Sequence, residues 1–590
     1  MTTYLEAAED LRPNERQWEA YTSTGNCVVL AGPGSGKTKI LTVKMAQVLA
    51  EEVQRPHGIA CVTYNNECVR ELRRRLDTLS VEETDRVFVG TLHGFCLRHV
   101  LAPIAHLTDT PLPSKLRVAS DSQVLEAVGG ALVSLNQGAT PNDARNDIDR
   151  HRRLALDRST GQRWVPGTPL TDLCTKYEEL LFAAGYVDFE AIIGTSLRLI
   201  EGLDFVRDCI RAKFPVLFVD EYQDLGEALD RVVQALCFDA GVRLFAVGDP
   251  DQSVYGFTGA KPELLKTLAE RPEVQAVRLR LNYRSGRSIV RASEVALGEM
   301  REYEPSRDAE GIVNFYQVGH SVEDEVEFAV SELLPDVLTR HSPGNVVVLH
   351  PTAWEGDILE RNLGVNQMAF VRLGRNGSYP KTPVTRLLEE CAEWEVKSDS
   401  PVLLSRLLGR WSSLIDDHGD RANRIALARF LFRHRGNAKM AARDWLADFE
   451  STVVLPNGAQ QRLIDAGYAD GLEKLFAATA KGGRIEDFTL ANLGGQLGSP
   501  DHLNLLTLHS SKGCEFNAVL IIGADEGRLP NFRALNSAPR IEEARRLFYV
   551  GVSRARDEVH ILCSSAAPGD RYQQGPSRFV KELRAAMEGS

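Results

Sequence analysis

The chain has 590 residues, 43% hydrophobic and 25% charged, the proportions of soluble globular protein with enough length for several cores. Its net charge of -12 and pI near 5.7 exclude a protein that coats nucleic acid over its whole surface, though not one with a local basic groove. Ten cysteines without a C-x-x-C pair suggest neither a disulfide framework nor a metal cluster and fit a reducing cytosol. Met1 to Asp10 is polar and acidic, unlike a signal peptide, and no apolar run is long enough to span a bilayer, so no membrane partner is expected.

In chain order, Pro13 to Trp18 comes first. Gln17 offers a donor and an acceptor that can read an adenine edge, although a surface helix glutamine is the plainer reading. The apolar run Cys27 to Leu30 then leads into Ala31-Gly32-Pro33-Gly34-Ser35-Gly36-Lys37-Thr38, and Lys39 to Val43 continues at helical spacing. Strand, glycine-rich turn and helix in this order cradle a triphosphate. The turn at Gly34, Ser35 and Gly36 aims backbone N–H groups at phosphate oxygens, and the helix adds its positive end. Lys37 reaches the β- and γ-phosphates, and the Thr38 hydroxyl goes to Mg²⁺.

Gly58 to Tyr64 predicts a second buried strand, Asn65 to Leu76 a helix, and Val87 to Val89 a third strand ending at Gly90-Thr91-Leu92-His93. At strand C-termini of a parallel sheet, Tyr64, Thr91 and His93 sit on the working rim, where they can contact phosphates and stack on a base. Residues 101–205 break the strand–helix rhythm and predict a helical insertion. Its helices are Asp121 to Leu135 and Leu170 to Ala184, and its basic run Arg150 to Arg153 reads as a solvated face.

The sheet resumes at Val216 to Val219, which runs into Asp220-Glu221. Asp220 can hold the metal through its water shell, and Glu221 can orient and deprotonate the attacking water. After the strand Leu244 to Asp249, Gln252 can sense the γ-phosphate, and Tyr255 and Phe257 present rings for base stacking. Arg284, after the run from Val277, stabilises transition-state charge, and Tyr283 can stack on adenine. A second strand set is predicted at 345–349, 505–508, 519–522 and 559–562, interrupted by mostly helical sequence. That interruption carries the basic residues Arg429, Arg433, Arg435, Lys439 and Arg443. Arg554 is placed on a helix from which it reaches phosphate across an interface.

The blocks AGPGSGKT, VTYNN, VGTLHG, VDEYQD, VGDPDQSVYGFTGA, LNYRS, LTLHSSKGCEF and FYVGVSRA, in this order, resemble the UvrD/Rep/PcrA group of superfamily 1 DNA helicases. The resemblance implies an α/β fold with two RecA-like P-loop NTPase domains, each interrupted by a mainly helical insertion. The first domain takes 1–100 and 206–285 with its insertion at 101–205, and the second takes 286–375 and 500–590 with a shortened insertion at 376–499. It implies ATP and Mg²⁺ in the cleft between the domains and single-stranded DNA across their tops, moved 3′ to 5′. By matching positions, Gln17 and Tyr283 hold adenine, Glu515 the ribose, and Gln252, Arg284 and Arg554 the γ-phosphate. Tyr64, Thr91, His93, Tyr255, Phe257, Thr507 and His509 line the DNA track.

The sequence departs from that group's pattern at several places. Phe257 stands for a usual tryptophan, Thr258 for arginine, Asn65 for threonine, Ser553 for threonine and Cys514 for an aliphatic residue. The second insertion lacks the group's Gly-Ile-Gly duplex-binding element. The expectation is therefore an ATP-dependent 3′-5′ translocase and helicase on single strands and single–double-strand junctions, in repair or replication. It would work in the bacterial cytosol, associated with the nucleoid when on DNA. The alternative is a helicase-like subunit beside a nuclease or repair partner, as in Gabija-type antiphage systems, with little unwinding alone.

Overall fold

The computed structural model describes residues 3–64, 66–79, 81, 86–113, 116–158, 164–372, 379–396, 403–415, 421–456, 458–494, 501–565 and 575–589. Asn65 falls outside them. The chain divides into two compact units, Met1–Arg280 and Leu281–Ser590, and each is built on a parallel six-stranded sheet. These are the two RecA-like domains, each with a mainly helical insertion.

In the first unit the strands are β1 (Asn26–Ala31), β2 (Ile59–Thr63), β3 (Val87–Thr91), β4 (Val216–Val219), β5 (Arg243–Gly248) and β6 (Val274–Leu279), in the order β3-β2-β4-β5-β1-β6. Short apolar runs without polar alternation form strands buried on both faces, as a parallel sheet covered by helices requires. Successive side chains alternate between faces. Val28, Leu217 and Val219 enter one core with Phe95 and Phe214; Cys27, Val29, Val216 and Phe218 enter the other with Ile40 and Leu41.

The first insertion lies between β3 and β4. Helices Asp121–Ser134, Pro141–Leu156 and Pro169–Ala183 share a core of Val128, Ala131, Ile148, Tyr177 and Leu181. The basic run is not a solvated face throughout. Arg150 and Arg153 are exposed, but His151 and Arg152 are buried. Arg152 donates to both oxygens of Asp188, at 2.5 and 3.0 Å, and pairs with Glu178 at 2.6 Å. Asp188 also accepts from the Tyr177 hydroxyl at 2.7 Å and caps helix Phe189–Gly202 through Ala191 N–H at 2.8 Å. Partners 26 and 36 residues downstream in the chain turn a surface-looking arginine into the clasp of the insertion.

The second unit has β7 (Ile312–Gln317), β8 (Val346–His350), β9 (Phe370–Arg372), β10 (Leu503–Thr507), β11 (Phe516–Ile521) and β12 (Ala555–Cys563), in the order β7-β12-β11-β8-β10-β9. The four predicted strands are the inner four. The two that periodicity missed are the edges: β7 is half-exposed and carries Asn314, and β9 is three residues long. Between β9 and β10 lies a helical insertion with its own core, including Phe430, Phe449 and the fully buried Trp411 and Trp445. Of its basic residues, Arg435 stacks on Trp394 at 4.0 Å and Arg433 pairs with Asp448 at 3.1 Å. Arg429, Lys439 and Arg443 are exposed.

Removing one partner of a buried ion pair strands the other charge, at a cost of about 3–5 kcal/mol. Asp188→Ala is expected to lower the unfolding free energy obtained from urea titration by that order; a loss below about 1 kcal/mol would contradict the clasp.

Candidate nucleotide and nucleic-acid sites

The glycine-rich turn follows β1 and opens helix Lys37–Gln47. Gly34 and Gly36 have φ of 68° and 85°, in the left-handed region where a Cβ is costly. The Ser35 hydroxyl donates to Gly32 O at 2.7 Å. Gln17 is not a surface residue: it is 2% exposed and donates from Nε2 to Ser35 O at 2.8 Å. A Cβ on Gly36 would lie 2.8 Å from that nitrogen. Gln17 therefore braces the loop from behind. The Lys37 ammonium is buried with no hydrogen-bond acceptor among the described residues. Thr38 stands beside it in the first helical turn.

Two carboxyl groups at neighbouring strand ends feel that ammonium. Burial, and then Glu221, pushes the Asp220 carboxyl up, while Lys37 opposes the rise; burial also pushes Asp249 up against the same lysine. Glu221 has φ 52° and ψ 45°, a left-handed conformation uncommon outside glycine, and its N–H donates to Asp220 Oδ1 at 3.0 Å. Gln223 is fully buried. Its Nε2 donates to Glu221 Oε2, and its Oε1 accepts from Asp249 N–H at 2.9 Å. Asp249 Oδ2 in turn accepts from Gln252 Nε2 at 2.6 Å. Sequence reasoning passed over Gln223 and Asp249, although both are polar residues following buried apolar strands, which was the available signal.

Along the same sheet edge, the Tyr64 and Tyr255 rings lie 5.6 Å apart, and the Tyr64 hydroxyl and Thr258 Oγ1 share a hydrogen bond of 2.9 Å. Phe257 lies in the turn Gly256–Thr258, with its side chain outside the described part. Thr91 ends β3 and spends its hydroxyl as a helix cap, accepting from Gly94 N–H at 3.1 Å. His93 packs edge-on to Phe189 at 5.5 Å, and burial holds its imidazole down to about 4, neutral at physiological pH. The structure thus groups Tyr64, Tyr255 and Thr258 as one cluster and His93 with Phe189 as another.

In the second unit, Arg284 Nε donates to Glu515 Oε2 at 2.9 Å and its Nη1 to Ser553 O at 3.2 Å. Arg554 is not on a helix: helix Ala538–Val552 ends before it, and it occupies the turn into β12. Its guanidinium is buried and donates to Val550 O at 3.0 Å, Cys514 O at 3.3 Å and Ser553 Oγ at 3.0 Å. Arg284, Glu515 and Arg554 are therefore one cluster around Cys514 and Ser553. Tyr283 is 41% exposed next to it in sequence. Thr507 closes β10 and accepts from Ser510 N–H at 3.1 Å, while burial lowers the His509 imidazole below its ordinary value.

Residues 13–273 match the UvrD/REP helicase N-terminal domain, and residues 485–566 the UvrD-like helicase C-terminal domain. The chain belongs to the UvrD/Rep-like superfamily 1 helicases. It is similar to the ATP-dependent DNA helicase PcrA of Staphylococcus aureus, 24% identical over 651 aligned positions that cover 97% of this chain and 86% of the relative. It is also similar to that of Staphylococcus epidermidis, 25% identical over 645 positions with the same coverage.

The residues of this UvrD/Rep-like chain fit a magnesium-bound nucleoside triphosphate. A buried ammonium without an acceptor calls for an anion. The two raised carboxyls next to it call for added positive charge, which a divalent cation brings. Among the described residues no cluster of His, Cys, Asp and Glu forms a separate metal cage, and no helix is long and apolar enough to cross a membrane. Gly36→Ala would both strain the left-handed turn and press on Gln17. We expect roughly tenfold or greater loss of nucleotide affinity, measured by titration with a fluorescent ATP analogue, at an unchanged circular dichroism spectrum.

Proposed function

We propose that the protein is an ATP-dependent DNA helicase that translocates 3′ to 5′ on single-stranded DNA, separating strands at single–double-strand junctions. The observation that carries this reading is that the buried Lys37 ammonium, the carboxyls it acts on and the Asp249–Gln252 hydrogen bond stand at the strand ends of the sheet that also carries the Tyr64–Tyr255 ring pair. Lys37 acts on Asp220 and Asp249, Asp249 holds Gln252, and Gln252 lies three residues before Tyr255. Family membership and the likeness to helicases named as ATP-dependent and DNA-acting support it.

Magnesium-bound ATP supplies the phosphoryl group whose transfer to water drives the motor. Lys37, with the N–H groups of Gly34, Ser35 and Gly36, holds the phosphates, and Thr38 and Asp220 take the metal. Glu221 accepts the proton of the attacking water. Gln252, Arg284 and Arg554 are assigned to the γ-phosphate; for Arg554 this role requires its guanidinium to leave the Val550, Cys514 and Ser553 acceptors. Gln17 and Tyr283 are assigned to adenine and Glu515 to the ribose. Tyr64, Thr91, His93, Tyr255, Phe257, Thr507 and His509 carry the strand. The motor parts are assigned to 1–100 and 206–285 and to 286–375 and 500–590, while the compact units divide at Arg280, which places Tyr283 and Arg284 with the second.

Two measurements on the full chain test the reading. The first is ATPase activity with and without single-stranded DNA; the second is unwinding of 3′-tailed and 5′-tailed duplexes. Stimulation by DNA with unwinding of the 3′-tailed substrate alone is the expected outcome. Stimulated hydrolysis with both duplexes closed would favour the alternative, a motor subunit that needs a nuclease or repair partner. Hydrolysis indifferent to DNA would overturn both. Glu221→Gln should retain ATP and DNA binding while turnover falls by roughly 10²–10⁴; near-normal turnover would show that another group is the base.

A further inference from the structure

We propose that Gln223 is a positioning residue that passes the state of the nucleic-acid rim to the water-activating carboxylate. The proposal rests on the reading of Glu221 as the base in a DNA-stimulated ATPase. Gln223 is fully buried in the 3-10 turn Tyr222–Asp224 that follows β4, and both ends of its amide and its main-chain carbonyl are engaged. Its Nε2 donates to Glu221 Oε2, its Oε1 accepts from Asp249 N–H at 2.9 Å, and its backbone O accepts from the Ser253 hydroxyl at 3.2 Å. Two of these contacts are to the segment 249–255 that ends at Tyr255, and the third is to Glu221.

The chemistry selects an amide at this position. A glutamine amide carries an acceptor and a donor on one planar group at the end of a side chain of this length, so it can take a backbone N–H from one loop and give a hydrogen to a carboxylate in another. Glu221 needs such a tie, because its left-handed backbone (φ 52°) sets the direction of the side chain but not its torsions. The fold also makes room for the amide at one specific point. A Cβ on Gly248, the last residue of β5, would lie 2.5 Å from Gln223 Oε1. A shift of the 249–255 loop when a base stacks on Tyr255 therefore moves the amide, and the amide moves Glu221.

Gln223→Glu tests the donor. It is nearly isosteric and keeps an acceptor for Asp249 N–H; protonated it can still give Glu221 a hydrogen and ionised it cannot, so its rates are read across a pH series. Gly248→Ala presses on the native amide without changing it, and also on Leu265 Cδ2 at 2.7 Å. For both variants, kcat for ATP is measured with and without saturating single-stranded oligonucleotide, together with KM for ATP, oligonucleotide affinity and the melting curve. The expected result is that the DNA-stimulated kcat falls about tenfold or more towards the basal rate, with KM and DNA affinity close to wild type in both and the melting temperature close to wild type in Gln223→Glu. A stimulation ratio unchanged in Gln223→Glu, whether both rates fall together or neither falls, overturns the proposal. So does loss of nucleotide binding or of the fold in step with the rate. If the wild type itself is not stimulated by DNA, the functional reading fails and this inference with it; a stimulated wild type with an unaffected variant removes the inference alone.

Discussion

An ammonium kept out of water without an acceptor is the constraint on which the first unit turns. A charge of that kind is costly unless something anionic stands by it, and here two carboxyls act on Lys37 while burial pushes both towards their neutral forms. A magnesium-bound triphosphate, as the proposed function requires, would set phosphate oxygens against the ammonium and a cation against the carboxyls, so that binding would relieve both buried charges. The parallel sheet makes this possible. It brings the ends of β1, β4 and β5 side by side, and each end contributes one member of the set.

Around that centre, two glutamines do the mechanical work. Gln17 fixes Ser35 from outside the loop, and Gln223 links the strand-end acid to the next loop. Both are buried amides with a carbonyl or amide of the main chain as partner. Both also sit against a glycine that has no Cβ to spare them, Gly36 and Gly248 respectively. Glycine and glutamine thus form matched sets: the first withdraws a side chain so that the second can reach the backbone.

The inner strands and the phosphate loop were legible because they are coded locally. An apolar run of four or five residues followed by glycine, acid or arginine leaves little alternative to a strand end at a site. Edge strands β7 and β9 were not, because half-exposed or three-residue segments carry no such run. Contacts distant in sequence were silent as well. Nothing near residue 152 announces Asp188, and nothing near residue 17 announces Ser35, so Arg152 read as solvated and Gln17 as a surface residue. Arg554 was assigned to a helix because apolar periodicity continues through Val552; the helix stops there, and the arginine turns inward on three main-chain and hydroxyl acceptors.

The departures from the family pattern acquire a physical meaning at the aromatic rim. Where related helicases carry arginine, this chain has Thr258, and its hydroxyl is shared with Tyr64 while also donating to Tyr255 O at 2.8 Å. An arginine there would project a permanent charge suited to a phosphate. The threonine instead fastens two aromatic residues to each other. On the proposed reading of this rim as the strand track, the exchange would trade a sequence-independent charge contact for a braced pair of rings, and hold on the strand would rest more on stacking, which is far less sensitive to salt. In a chain with a net charge of -12, a stacking contact is also the one that long-range repulsion from the rest of the surface weakens least.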